Sequence, residues 1–326
     1  MKFLIIRFSS IGDIVLTTPV VRCLKQQVPN AEVHFLTKKS FRGIVESNPY
    51  IDKVLLLQDS WELMMHELKL EAYDYIIDLH HNIRTLRIKK ALKVKSFSFN
   101  KLNIQKWLLT ALKINMMPPM HIVDRNLATV KSFGVVNDGK GLDFFIPEYD
   151  VVKQNDIPAS HQFGFIGIVI GAALNTKKLP VHKLQELCSN IEFPIILLGG
   201  PEDRSNGNEI ASIDAIKIYN ACGKFNLNES ADLVRKAKLI ITHDTGLMHI
   251  AAAFRKPMIS VWGNTTPAFG MNAYYGNSQV TDIQHQVAVS CRPCSKIGFD
   301  KCPKGHFKCM ELQDVEKMAK DALQLV

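Results

Sequence analysis

The sequence predicts an α/β protein built from two open, parallel-stranded sheets. Short runs of Ile, Val, Leu and Phe recur without polar alternation, as parallel strands covered on both faces require. Stretches of helical period separate these runs from end to end. The length, 326 residues, suits two domains of ~150 residues each.

The first group of expected strands is Lys2–Arg7, Glu32–Leu36, Val54–Leu57, Tyr75–Asp78 and Ser96–Phe99. The second is Phe165–Ile170, Pro194–Leu198, Ile216–Tyr219, Leu239–Thr242 and Met258–Trp262. Helical patterns between and after them include Thr18–Gln27, Pro180–Ser189, Ser230–Lys236 and Val315–Leu325. Pro19 suits the first helical position after Thr18, because its missing N–H is not needed there. The stretch from Ile146 to His161, with Pro147 and Pro158, precedes a fresh buried-strand signal and marks the domain boundary. Domains of 1–155 and 156–326 follow, with the last helix a candidate to pack back on the first. Ligands of such sheets bind outside the carboxyl ends of the strands, which places the expected site in a cleft between the two domains.

Composition narrows the function classes. With 47% hydrophobic and 22% charged residues, the chain has ample core and is neither a disordered nor a disulfide-scaffold protein. The net charge of +9 implies an anionic partner: nucleotide, anionic lipid or nucleic acid. The longest nearly apolar run, Phe163 to Leu174, falls short of the ~20 residues of a membrane span. The opening Met1–Arg7 is too short for a signal sequence, so a cytoplasmic protein with reduced cysteines is expected.

Several strand-end segments carry chemistry. In Arg7-Phe8-Ser9-Ser10-Ile11-Gly12-Asp13, a buried strand gives way to a small-residue turn. Asp13 there is either a helix cap or a general base. In Thr242-His243-Asp244-Thr245-Gly246-Leu247-Met248-His249, a strand feeds a helix capped by Asp244 or Thr245, and Gly246 lets a ligand approach its first turn. The N–H groups and positive dipole end of such a helix suit a diphosphate. His249, one turn in, is either a ligand contact or an ordinary satisfied side chain. In Gly171–Pro180, Lys177 can reach phosphate oxygens, although the spacing is not that of a Walker loop. Gly199-Gly200-Pro201-Glu202-Asp203 ends another strand with acids that can accept from ribose hydroxyls. The first strand is not followed by Gly-x-Gly-x-x-Gly, which argues against a nicotinamide dehydrogenase.

Two further features stand apart. Cys291, Cys294, Cys302 and Cys309 form C-x2-C-x7-C-x6-C, a candidate structural Zn²⁺ site with His306 as an alternative ligand. Cys23, Cys188 and Cys222 read as core residues. From Asn82 to Val123 there is no Asp or Glu, while Arg84, Arg87, Lys89, Lys90, Lys93, Lys95, Lys101, Lys106 and Lys113 alternate with apolar residues. This is either a solvated face over a buried stripe or a surface for a phosphorylated glycolipid or an anionic membrane. No RNP, helix-turn-helix or zinc-finger signature accompanies the charge, which argues against nucleic acid.

Together, Ser9–Asp13, Lys177-Lys178-Leu179-Pro180, Leu198–Glu202 and Asp244–Ala251 resemble, in order, the motifs of the family 9 glycosyltransferases, the lipopolysaccharide heptosyltransferases. Tyr73–His80 and His121–Arg125 are similar to family positions as well, and the cysteine cluster is similar to one in some members. The resemblance implies a GT-B fold, two Rossmann-like domains facing a central cleft. It implies inverting transfer of heptose from ADP-heptose to a phosphorylated lipid A–core acceptor, with no cofactor needed for catalysis. Asp13 then corresponds to the general base, while Lys177, Glu202, Asp244, Thr245, Gly246 and His249 fall among the donor contacts. Leu179 departs from the family's usual aromatic at that place. A cytoplasmic enzyme working peripherally at the inner face of the inner membrane is the implied setting. The rival readings are a transferase of the same fold with another nucleotide sugar, and a non-catalytic protein that binds anionic glycolipid or nucleic acid.

Overall fold

The computed structural model describes residues 1–326 and divides into two compact units. The first comprises Met1–Leu102, Met120–Phe145 and Gly276–Ser278; the second comprises Asn103–Pro119, Ile146–Tyr275 and Gln279–Val326.

The first unit holds β1 (Lys2–Ile6), β2 (Glu32–Thr37), β3 (Lys53–Leu56), β4 (Tyr75–Asp78) and β5 (Lys95–Ser98) in one sheet of order β3-β2-β1-β4-β5. Every pairing is parallel. Central β1 carries Phe3-Leu4-Ile5-Ile6, all fully buried, which explains its run of apolar residues on both faces. Leu4 and Ile6 join Leu36, Ile76 and Ile88 in one core. Phe3 packs the other way, with its ring 5.5 Å from Tyr75 and edge-on to Phe133 at 5.1 Å.

The second unit holds β6 (Ile166–Val169), β7 (Ile195–Leu198), β8 (Ile218–Asn220), β9 (Leu239–His243), β10 (Met258–Trp262) and β11 (Asp282–Gln286), ordered β11-β10-β9-β6-β7-β8. Counted from its own first strand this is the 3-2-1-4-5-6 order of dinucleotide-binding sheets. Gly167 in β6 has a packing reason: a Cβ there would stand 2.7 Å from Ile240 Cδ1 on neighbouring β9. In each sheet the strand order reverses beside the first strand, at β1/β4 and at β6/β9. Ligands of open α/β sheets bind at such reversals.

Three expectations need correction. The last helix, Val315–Leu325, packs within the second unit, because Met318, Ala319 and Ala322 complete the core formed by Ile168, Leu197 and Ile241. The expected division at 155/156 also shifts: residues 146–155 belong with the second unit, and so does Asn103–Pro119. That early segment is tied there by Lys113, whose Nζ donates to Cys291 O at 2.9 Å and Pro293 O at 2.8 Å. Strand β11, Asp-Ile-Gln-His-Gln, was not expected, since an edge strand with only His285 buried carries no apolar run. No helix is long and apolar enough to cross a membrane.

Candidate functional site

At the β1/β4 reversal the chain leaves β1 through Arg7 and turns into the short helix Ile11–Val15. Arg7 is buried, and its guanidinium is pinned by two carbonyls: Nε donates to Ser9 O at 2.7 Å, and Nη1 donates to Leu79 O just past β4. The remaining nitrogen, Nη2, meets Asp13 Oδ1 at 2.7 Å. The other carboxylate oxygen of Asp13 accepts from Ser10 Oγ at 2.8 Å and from Ser10 N at 3.2 Å. Burial pushes the Asp13 carboxyl up, but the Arg7 charge and the Ser10 hydrogen bonds outweigh it and hold the group below its usual value. Asp13 is therefore an ionised carboxylate, third in its helix, while Ser10 takes the capping position.

His80 follows β4 in the same region. Burial, and then the charges of Arg7 and Lys101, lower its pKa to about 4, so the ring is neutral. Its Nδ1 is buried without a partner, and the ring lies 4.9 Å from Phe8. Asp78, fully buried, is structural: it pairs with Lys89 at 2.7 Å and accepts from Thr85 Oγ1 at 2.8 Å.

At the β6/β9 reversal the second unit assembles its own charged cluster. Lys177 Nζ meets Asp244 Oδ2 at 2.8 Å and donates to Asp244 O at 2.9 Å. Thr265 Oγ1, from the loop after β10, donates to the same Asp244 oxygen at 3.0 Å. Thr245 occupies the N-cap position of the helix Gly246–Ala253, yet no side chain caps that helix. Its hydroxyl instead faces Thr242 Oγ1 at 3.3 Å. His249 is 3% exposed within this helix. His243 braces the Lys177 loop, accepting from Leu179 N at 2.9 Å through Nε2, and burial lowers its pKa to about 3.

The two neighbouring acids after β7 separate cleanly. Asp203 is buried, receives Lys178 Nζ at 2.7 Å and accepts from Gly200 N at 3.0 Å. Gly171 gives this carboxylate room, since a Cβ there would overlap Asp203 Oδ2. Glu202 stays exposed, so of the pair it is the acid open to a ligand. The sequence named Arg7 and His80 only within longer motifs, with no role of their own, and passed over Thr265. The available signal for Arg7 and His80 was a charged or polar residue just beyond a buried strand.

The cysteine segment is partly gathered. Cys291 Sγ lies 3.9 Å from His306 Nε2. Burial and the neighbouring thiols raise Cys294, and Cys309 is raised to about 11, first by burial. No third ligand atom joins the Cys291–His306 pair within 4.8 Å; the group that does meet this spacing, Glu32, His34 and Glu71, is already occupied by Lys2. Cys23, Cys188 and Cys222 are buried. In the acid-free stretch, Lys89 serves Asp78, Lys106 lies over the Phe269 ring at 6.0 Å, and Lys113 holds the Cys291 and Pro293 carbonyls. Within the second unit that stretch leaves Ile104, Trp107, Leu112, Ile114 and Met116 exposed.

Comparison with known proteins adds a family. The sequence model of glycosyltransferase family 9 (heptosyltransferase) matches residues 61–298. The chain is 28% identical to lipopolysaccharide heptosyltransferase 1 of Campylobacter coli, over 98% of both chains. Its fold is similar to that of the family 9 glycosyl transferase from Veillonella parvula DSM 2008, with a TM-score of 0.78, 21% identity and coverage of 99% and 96%. It is also similar to E. coli heptosyltransferase WaaC with ADP, with a TM-score of 0.71 and 18% identity over 100% of both chains.

Proposed function

Because the chain belongs to glycosyltransferase family 9, we propose that it moves a heptose from ADP-heptose to an acceptor hydroxyl of the lipopolysaccharide inner core, with inversion at the anomeric carbon. The observation that carries this reading is that each sheet presents an acid–cation pair at its own reversal point, Arg7–Asp13 in one and Lys177–Asp244 in the other.

Inversion needs a base beside the acceptor oxygen and charge compensation beside the leaving diphosphate. Asp13 serves as the base: it takes the hydroxyl proton as the oxygen attacks the anomeric carbon and the bond to the diphosphate oxygen breaks. Its depressed pKa keeps it unprotonated across the physiological range. The anomeric carbon acquires oxocarbenium character while negative charge grows on the leaving diphosphate. Lys177 and the uncapped N–H groups at Gly246 receive that charge, work that a divalent cation does in other transferases. Asp244 and Thr265 hold Lys177 extended. Thr245, His249 and exposed Glu202 complete the donor contacts. The lipid acceptor brings the enzyme to the inner face of an anionic membrane, and the acid-free stretch is the surface for that contact. Cys291, Cys294, Cys302 and Cys309, with His306, serve as ligands of a structural Zn²⁺ in the same reading.

Thermal unfolding with equal saturating ADP, UDP, GDP and CDP tests the donor. A ligand at 100 times its Kd stabilises the fold by about 2.7 kcal/mol, so affinities appear as ranked shifts. Selective stabilisation by ADP is expected. Preference for another diphosphate would move the donor to a different nucleotide sugar, and silence to all four would favour a binding protein.

A further inference from the structure

The cysteine-rich segment grips both loops that carry the donor cluster. On one side Arg292 Nη2 donates to Thr265 O at 3.0 Å, and Cys294 N donates to Asn264 O at 3.1 Å. Thr265 is the residue whose hydroxyl meets Asp244, and Asp244 holds Lys177. On the other side Thr176, next to Lys177, is locked to Phe299. Thr176 N and Oγ1 donate to Phe299 O at 3.1 and 2.9 Å, and Phe299 N returns a bond to Thr176 Oγ1 at 2.8 Å. Gly298, at φ +121°, brings the backbone so close to this loop that a Cβ would stand 3.0 Å from the Leu174 side chain. Residues 292–299 thus hold the Lys177 loop and the Asp244 partner at once.

The same segment is a part-assembled ion site. A tetrahedral Zn²⁺ with bonds of ~2.3 Å to sulfur and ~2.0–2.1 Å to nitrogen separates those two ligands by ~3.6 Å. Cys291 Sγ and His306 Nε2, at 3.9 Å, are near that spacing. No other thiol completes with this pair a set of three ligand atoms within 4.8 Å of one another, so an ion bound by them all requires the segment to close up. Within the first grip, Asn264 is 1% exposed, and neither atom of its side-chain amide has a partner.

We propose that residues 291–309 form a metal-set latch on the donor site. A Zn²⁺-class ion captured by the thiols and His306 draws the segment in. Through Arg292–Thr265 and Phe299–Thr176 it then fixes Asp244 and Lys177, so that a nucleoside diphosphate binds more tightly. The thiols release their protons to solvent as they bind the ion. The coupling is reciprocal: the diphosphate raises affinity for the ion by the same factor. This inference rests on the donor reading of the Lys177–Asp244 cluster.

The test uses the full chain stripped of metal by a chelator. Co²⁺ titration followed by thiolate charge-transfer absorbance reports ion uptake, and calorimetry with ADP, with and without Zn²⁺, reports the coupling. One ion per chain and about tenfold tighter ADP binding are expected, within the 5–150-fold span of typical couplings. Arg292→Met should take up Co²⁺ with the same spectrum while most of the ADP response is lost, the Phe299–Thr176 grip alone carrying the remainder. Thr265→Val, a milder cut in the same path, should halve the response or more. Failure to take up the ion with a thiolate spectrum would overturn the latch, and so would uptake with ADP affinity unchanged within twofold. Absence of ADP binding in both states would overturn the donor reading itself, and the latch with it.

Discussion

The reversal points of the two sheets pair an acid with a cation in opposite senses. In the first unit the cation is the anchored partner: Arg7 is held by Ser9 O and Leu79 O, and Asp13 extends from it. In the second unit the acid is the better anchored: Asp244 is fixed by Thr265, and Lys177 reaches it on a flexible stem. Under the proposed function, one motif, an ion pair at the end of a central strand, would serve as a proton acceptor in one place and a phosphate ligand in the other.

The strongest way to break this comparison is Asp13→Asn. It preserves shape and removes the base, so turnover should fall by about 10²–10⁴ with ADP affinity unchanged, read by steady-state kinetics beside calorimetry. Near-normal turnover would reduce Asp13 to a helix-start residue. Lys177→Ala should leave the first unit untouched and weaken ADP binding by about 10–100-fold, the range of a charge-assisted hydrogen bond. Unchanged affinity would remove Lys177 from the phosphate site. Thr265→Val loosens only the anchor of Asp244, and a loss of about 3–10-fold in ADP affinity is expected from one hydrogen bond.

The smallest effect is confined to acid pH. Asp13 is depressed below its ordinary 3.8, so the active carboxylate persists until pH falls through that lowered value. Arg7→Met removes the main lowering influence and leaves the upward push of burial. The acid limb of kcat/KM should therefore move to higher pH. An unmoved limb would show that Arg7 does not govern Asp13.

Much of this arrangement was legible before any coordinates. Apolar runs such as Phe3–Ile6 and Ile195–Leu198 announce strands because both faces of a parallel sheet are covered. Strand ends then direct attention to Asp13, Lys177 and Asp244. The roles of Arg7 and Thr265 were not legible, since each depends on a partner brought close by folding: Leu79, 72 positions from Arg7, and Asp244, 21 positions from Thr265. The membership of Asn103–Pro119 was hidden for the same reason, as Lys113 finds its carbonyls 178 and 180 residues away. The polar edge strand β11 is held by backbone pairing to β10, which no side-chain pattern reports.

The place of the helix Val315–Leu325 in the second core has a consequence for biosynthesis. The strands of the first sheet are all available once residue 98 has emerged from the ribosome. The second sheet begins at Ile166, but its core waits for Met318, Ala319 and Ala322. At ~5–20 residues per second, roughly 8–30 s of translation separate those events. Until then Ile168, Leu197 and Ile241, each as it emerges, lack the cover the helix gives them, so the nascent second unit is the part of this protein that chaperones have most reason to hold.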